Sequence, residues 1–252
     1  APTWDVSDSW IATMRHIAKE AGCWVIGTAT AMQASDVPDD FPERDSLFAA
    51  DEWINDGNAI VVKPMGELGL FGTVIPEEYG GSEMGWLAAM IVTEEIARVS
   101  SSLRVQVNMQ GLGCAYPIVE YGSDELKAKY IEKLVAAEYL GGFAITEPNA
   151  GSDVMSMKSR AEDKGDHWLL NGNKTWISNA DAADVVVYYA YTDPEQGSKG
   201  LSAFVVELKN FNGIRTTRLD KLGSWSSPTG EIYLENTRVP KENILGRPGD
   251  GA

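Results

Sequence analysis

The sequence predicts an α+β chain in which a helical segment leads into a compact β domain, and three observations carry the prediction. Over residues 67–138 apolar side chains recur at helical spacing, and the helices so marked are rich in Ala, Met and Leu. From about residue 139 the period shortens to that of strands. Across 139–238 short runs of β-branched and aromatic residues alternate with turn signals, the pattern of a barrel or sandwich.

Taken in order, Asp8 can cap a helix reaching about Glu20, with Trp10, Met14 and Ile17 on one stripe, and Gly22 stops it. Residues 23–27 follow as a short apolar strand, 35–51 as an acidic proline-containing loop, and 58–63 as the next strand. The stretch VVKPMGELGLFG (61–72) admits two readings. From the left, 64–67 is a hairpin turn. From the right, 65–70 is the foot of a helix followed by a strand-like 73–75. Helices are then expected over 84–98, 105–121 and 123–137, the last with the acidic start Ser123-Asp124-Glu125. Strands are expected at 142–146, 167–171, 174–179, 184–191, 201–208 and 231–234, with Asn171-Gly172 as a hairpin turn. Residues 241–245 close the β domain.

Composition narrows the function. At 252 residues the chain can bury a substantial core. A formal charge of −16 argues against a general binder of nucleic acid or anionic membrane, yet a few local dipoles and cations still suffice for a phosphate-bearing small ligand. Cys23 and Cys114 lie far apart without CxxC spacing, which disfavours a disulfide framework or zinc site and favours a reducing compartment. With no apolar run of spanning length and no signal-peptide layout, a soluble cytoplasmic protein is expected. There is no P-loop and no GxGxxG. His16 and His167 lie in different blocks, so a metal site or Ser/His/Asp triad lacks partners.

Two motifs remain. In FAITEPNAGSD (143–153) a strand of small and apolar residues ends on Thr146-Glu147, breaks at Pro148 and opens into a Gly-Ser loop. A hydroxyl and backbone N–H groups beside a flexible glycine can hold a polar ring edge and a phosphate. In NGNKTWISNA (171–180), Trp176 offers a flat platform and Ser178 a hydroxyl. The pair, in this order and spacing, resembles the FAD-binding signature of acyl-CoA dehydrogenases. Likeness to that family runs from about Glu67 to Ala252, through VIPEEYGG (74–81), YGSDELKAKYIEKLVAAEYLGGF (121–143) and SSPTGEIYLENTRVPKENILG (226–246).

The resemblance implies an N-terminal helical domain, a middle β-barrel and a C-terminal helical domain with FAD between them. It implies that 143–152 lines the flavin, from Phe143 through Ile145 and Thr146 at the isoalloxazine to Gly151, with Ser152 where the CoA chain passes. Trp176, Ile177 and Ser178 are expected against the ring, the Ser178 hydroxyl standing where the family usually has Thr and donates to N5. Such a donor favours the charge that builds up as hydride arrives. Arg104, in SSLRVQ, is similar to the arginine with which glutaryl-CoA dehydrogenases pair the distal carboxylate of the acyl chain, a task suited to its bidentate fork. Ala97 stands where decarboxylating members carry a glutamate, which points to oxidation without loss of CO₂. The implied partners are an acyl-CoA substrate and an electron acceptor such as electron-transfer flavoprotein, in a homotetramer. The catalytic base belongs to the C-terminal helical domain, which is expected to be absent from these 252 residues, so no catalytic residue is expected here. Glu94, Glu95 and Glu147 read as ordinary structural carboxylates.

Residues 1–67 resemble a different family, the nitrilases, in the region downstream of the nucleophilic cysteine. The three regions that supply that chemistry are missing, and Cys23 reads as strand filler. The sequence therefore implies an α/β fragment over 1–66, a partial dehydrogenase N-terminal domain over 67–138, a middle β domain over 139–252, and a junction within 64–67 where two unrelated sequences share PMGE.

Overall fold

The computed structural model describes residues 63–224 and 227–251, together with two short antiparallel strands, β1 (Ile54–Asn55) and β2 (Asn58–Ala59). The helix and strand expected over 8–27 and the acidic loop over 35–51 lie outside the described residues.

The ambiguous stretch folds as a helix, α1 (Lys63–Glu67), and not as a hairpin. Gly69, at φ 73°, ends it: its N–H donates to the Gly66 carbonyl and the Leu70 N–H to the Met65 carbonyl, the paired bonds of a left-handed helix stop. Residues 73–75, read as strand-like, form turns that seat the buried Ile75. Next come α2 (Gly85–Val99) and α3 (Ser101–Gln106), the latter capped by the Ser100 hydroxyl, which accepts from the Leu103 N–H. A π-helical stretch, Val107–Ala115, continues α3 into α4 (Tyr116–Tyr121). The last helix, α5 (Asp124–Val135), begins where the acidic start predicts, with the Ser123 hydroxyl accepting from the Leu126 N–H.

Eight strands then form one mixed sheet: β3 (Gly141–Ala144), β4 (Arg160–Asp163), β5 (His167–Ser178), β6 (Val185–Tyr191), β7 (Leu201–Glu207), β8 (Ile214–Arg218), β9 (Thr229–Pro240) and β10 (Ile244–Leu245). Their order is β10-β7-β6-β4-β5-β9-β8, with β3 parallel to β6. The sheet curls over its own core, in which Trp168 and Leu170 of β5 meet Val186 and Tyr188 of β6 and Phe204 of β7. The other face of β6 and β7 (Val185, Val187, Ala203, Val205) packs on Ile118, Leu126, Ile131 and Leu134 of the helices. Burial on both faces explains the unbroken apolar run VVVYYAY, which alternation alone leaves ambiguous.

One turn is corrected. Asn171-Gly172 is not a hairpin, and the two predicted runs flanking it are a single strand, β5. The hairpin lies at 164–166, where the Lys164 N–H donates to the His167 carbonyl and Gly165 takes φ 91°. At Asn171 the register against β9 slips, and the Asn171 carboxamide oxygen accepts from the Asn236 N–H across a bulge at Asn236, whose φ is 50°.

Candidate functional site

The two motifs come together. Residues 141–147 run antiparallel beside 174–179, joined at one end by the Thr175 N–H donating to the Thr146 carbonyl (2.9 Å) and at the other by the Asn179 carboxamide donating to the Gly141 carbonyl (3.1 Å). Between these points the chains are close enough that a Cβ on Gly142 would stand 3.2 Å from the Ser178 carbonyl and 2.9 Å from Val186 Cγ1. Glycine is required there by approach, not by dihedral angle.

A second bulge aims the residues of the strip. Lys174 pairs with Ile232 and Ile177 with Gly230, so two residues of β5 face one of β9. The extra residue is Trp176, held at φ 59° with 62% of its surface exposed. A bulge re-aims a side chain out of the strand's alternation, and here it turns the indole ring outward, where it can lie against a flat partner. Thr146 and Ser178, both half-buried, flank it on the paired segments.

The predicted residues sort by this geometry. Ile177 is buried in the core of the β domain, so its side chain faces away from the outward Trp176 and only its backbone belongs to the strip. Phe143 packs edge-on against Tyr189 (ring centroids 5.2 Å apart) toward the helical domain. Ile145 is half-buried beside Ala150, Met157, Tyr191 and Leu201. Gly151 and Ser152 lie on an exposed loop, and a Cβ on Gly151 would meet open space. Arg104 is half-buried in the last turn of α3. It is not drawn onto the strip: Gln106, two residues on and so on a different side of the helix, is what reaches the β domain.

That contact and one other went unread in the sequence. Gln106 and Asn179, both fully buried, exchange two amide hydrogen bonds of 3.0 and 2.9 Å, and Asn179 takes φ 64° to do so. Gln110 adds bonds to the Leu134 and Tyr139 carbonyls and accepts from the Gly141 N–H, so the helix grips the root of β3 twice. The other contact is a buried ion pair. Lys174 Nζ lies 2.9 Å from Glu147 Oε1, donates to the Ile145 carbonyl (3.1 Å) and sits 5.0 Å from the centre of the Tyr188 ring. The Glu147 carboxylate also accepts from the Lys158 N–H (2.5 Å), the Ser159 N–H (2.9 Å) and the Ser159 hydroxyl (2.6 Å). Burial alone would raise the Glu147 carboxyl, but the Ser159, Lys158 and Lys174 hydrogen bonds together hold it below the ordinary range. Burial brings the Lys174 ammonium down to about 8, against the pull of Glu147. The signal was present in the alternation of β5: Trp168, Leu170 and Lys174 share the inward phase, and a lysine on an apolar face needs a buried partner.

Glu94 and Glu95 form exposed ion pairs with Arg98 on α2, and Ala97 is exposed. Among the described residues no cluster of three or more His, Cys, Asp and Glu is placed to hold a metal ion, and no helix is long and apolar enough to cross a membrane.

The donor set suits a planar, polar-edged cofactor: an outward aromatic ring, two hydroxyls flanking it, and an open glycine-serine loop next to them. Comparison with known proteins agrees in kind. Residues 28–138 match the acyl-CoA dehydrogenase N-terminal domain and residues 142–237 the acyl-CoA dehydrogenase middle domain. The glutaryl-CoA dehydrogenase of Desulfococcus multivorans is 70% identical over 208 residues, 81% of this chain and 54% of that protein. The solved complex of a glutaryl-coenzyme A dehydrogenase with glutaryl-CoA superposes with a TM-score of 0.77 at 57% identity, covering 99% of this chain and 59% of that one. The FAD complex of PigA does so at 0.74 and 26% identity, covering 98% and 60%. The chain thus spans little more than half the length of these relatives. The N-terminal match begins at residue 28, inside the stretch read as nitrilase-like, and runs without a break through 64–67. With two of its domain patterns laid end to end over most of its residues, the chain belongs to the acyl-CoA dehydrogenase family.

Proposed function

We propose that this chain forms the flavin-facing N-terminal and middle portion of an FAD-dependent acyl-CoA dehydrogenase acting on a glutaryl-CoA-like thioester. The observation that carries the reading is the antiparallel pairing of 141–147 with 174–179, which sets Thr146, Trp176 and Ser178 along one strip. FAD, when bound, supplies the hydride acceptor for α,β-dehydrogenation. The chain's own residues orient and enclose it. The Thr146 and Ser178 hydroxyls would donate to the polar edge of the ring, Trp176 would cover it, and the open Gly151-Ser152 loop would leave a passage for the CoA chain. Preorganised donors of this kind contribute about 3 kcal/mol each in sites that exclude water.

Arg104 is the candidate partner for a distal carboxylate on the acyl group, supported by the resemblance of SSLRVQ and by its half-buried place on α3. Exchange of Arg104 for Met should weaken glutaryl-CoA binding while leaving butyryl-CoA binding unchanged. Ala97 supports oxidation without decarboxylation. The base that takes the α-proton is assigned to the C-terminal helical domain of the family, and an electron-transfer flavoprotein is the acceptor the family resemblance supports. For residues 1–66 the nitrilase-like reading rests on resemblance alone, and coding DNA read unbroken across codons 64–67 tests it.

The direct test is absorbance. Purified chain mixed with FAD and passed over a sizing column should carry the yellow visible absorbance of oxidised flavin in the protein peak. Protein that elutes colourless at saturating FAD would refute cofactor binding by this chain.

A further inference from the structure

We propose that the buried Lys174–Glu147 pair is a positioning clamp, holding the 145–152 loop against the β5 bulge so that Thr146, Trp176 and the Gly151-Ser152 turn keep the register a planar cofactor needs; the cofactor half of this rests on the flavin reading above. The partners of the two side chains carry the argument. Lys174 stands immediately before the bulge, yet its ammonium reaches back to the Ile145 carbonyl and the Glu147 carboxylate, one residue to either side of Thr146. Glu147 in turn accepts from Lys158 and Ser159, where the chain re-enters the sheet ahead of β4, and so ties the two ends of the 147–159 segment to one carboxylate. Ser159 is tied onward to the Tyr188 hydroxyl of β6 (3.1 Å), and the core is so tight there that a Cβ on Gly172 would stand 2.1 Å from the Ser159 hydroxyl oxygen.

The side chains that carry this network are inside the protein, with Lys174, Ser159 and Tyr188 fully buried and Glu147 6% exposed. None of them belongs to the outward strip. A buried ion pair is a weak source of net stability, because desolvation offsets the attraction, but it is directional. The hydrogen bonds between 145–147 and 174–175 are few: the Thr175 N–H donates to the Thr146 carbonyl, and the Lys174 ammonium donates to the Ile145 carbonyl and the Glu147 carboxylate. Without the ammonium, one backbone bond would hold the loop beside the bulge.

The test compares amide exchange with FAD titration in the full chain. In Lys174→Met the Thr175 amide should lose protection by at least about tenfold, while the β6–β7 ladder amides of Val187 and Val206 keep theirs. FAD affinity should fall by at least about tenfold. Should Lys174→Met fail to fold, Lys174→Met with Glu147→Gln removes both charges, keeps an acceptor for Ser159, and should show the same local loss. Glu207→Gln, which disturbs the distant Lys129–Tyr130–Glu207 cluster, should lower the melting temperature and leave FAD affinity unchanged. Equal loss of protection at Thr175 and in the ladder marks a general destabilisation and overturns the clamp, as does unchanged Thr175 exchange. If the parent chain takes up no flavin, the flavin reading falls, while the exchange comparison still decides whether Lys174 holds the loop.

Discussion

Asn179→Ala should be among the most damaging single changes in the β domain. The Asn179 carboxamide donates to Gln106 Oε1 (2.9 Å) and to the Gly141 carbonyl (3.1 Å) and accepts from Gln106 Nε2 (3.0 Å). Each buried bond contributes about 1 kcal/mol net, so the three together are worth about 3 kcal/mol. Gln106, fully buried, has no water to turn to. Asn also tolerates φ 64° better than Ala does, which adds about 1 kcal/mol of backbone strain. The expected loss is therefore about 4 kcal/mol, a large share of a typical total of about 5–15 kcal/mol. Urea unfolding followed by circular dichroism measures it. Asn179→Gly separates the two contributions, losing the same bonds without the strain, and should be about 1 kcal/mol more stable than the alanine variant. Gln106→Leu combined with Asn179→Gly should lose less than the sum of the single changes, because neither buried amide is then stranded. An alanine variant within about 1 kcal/mol of the parent, or a glycine variant no better than alanine, would refute the reasoning.

Acid should unfold the chain through its buried carboxylates. Glu147 and Glu207 are each raised by burial, but hydrogen bonds outweigh this and hold them below 4.5 in the folded state. The unfolded chain therefore takes up their protons first as pH falls. Their stabilisation, present in full above the ordinary carboxylate range, is lost as pH drops through the lower folded values, and Glu207→Gln should flatten the acid side of a urea-midpoint profile. Cys114 is fully buried, and burial pushes its thiol up to about 12. In a Cys23→Ser chain, a thiol reagent at about pH 8 should label it only as urea opens the fold; rapid stoichiometric labelling of the folded protein would contradict the burial. Added FAD should quench part of the tryptophan fluorescence through the outward Trp176 ring, and Trp176→Phe should abolish that component; equal quenching in both would remove Trp176 from the site.

The short-range features were legible in the residues. The acidic helix start at 123–125, the helical stripe ahead of residue 139 and the run VVVYYAY all depend on neighbours a few positions away, and they fold as read. The two motifs could be picked out as the candidate strip for the same reason: each is a continuous string whose side chains leave the backbone within one strand or loop. Asn171-Gly172 misled because a dipeptide that suits a hairpin turn also suits a strand beside a bulge, and only the partner strand β9 decides between them.

By itself the sequence determined the helical-then-β order, the family likeness and the two strings that flank the strip, since periodicity and local chemistry need no tertiary partner. Only the tertiary structure decided how those strings meet. The Thr146–Thr175 bond, the Lys174–Glu147 pair and the Gln106–Asn179 amide exchange join residues 27 to 73 positions apart. It also turned Ile177 inward and Trp176 outward, through one extra residue on β5 that no pattern along a single strand records. Contacts of that range are set by which elements pack together, and packing depends on the burial of the whole core rather than on any one stretch of it.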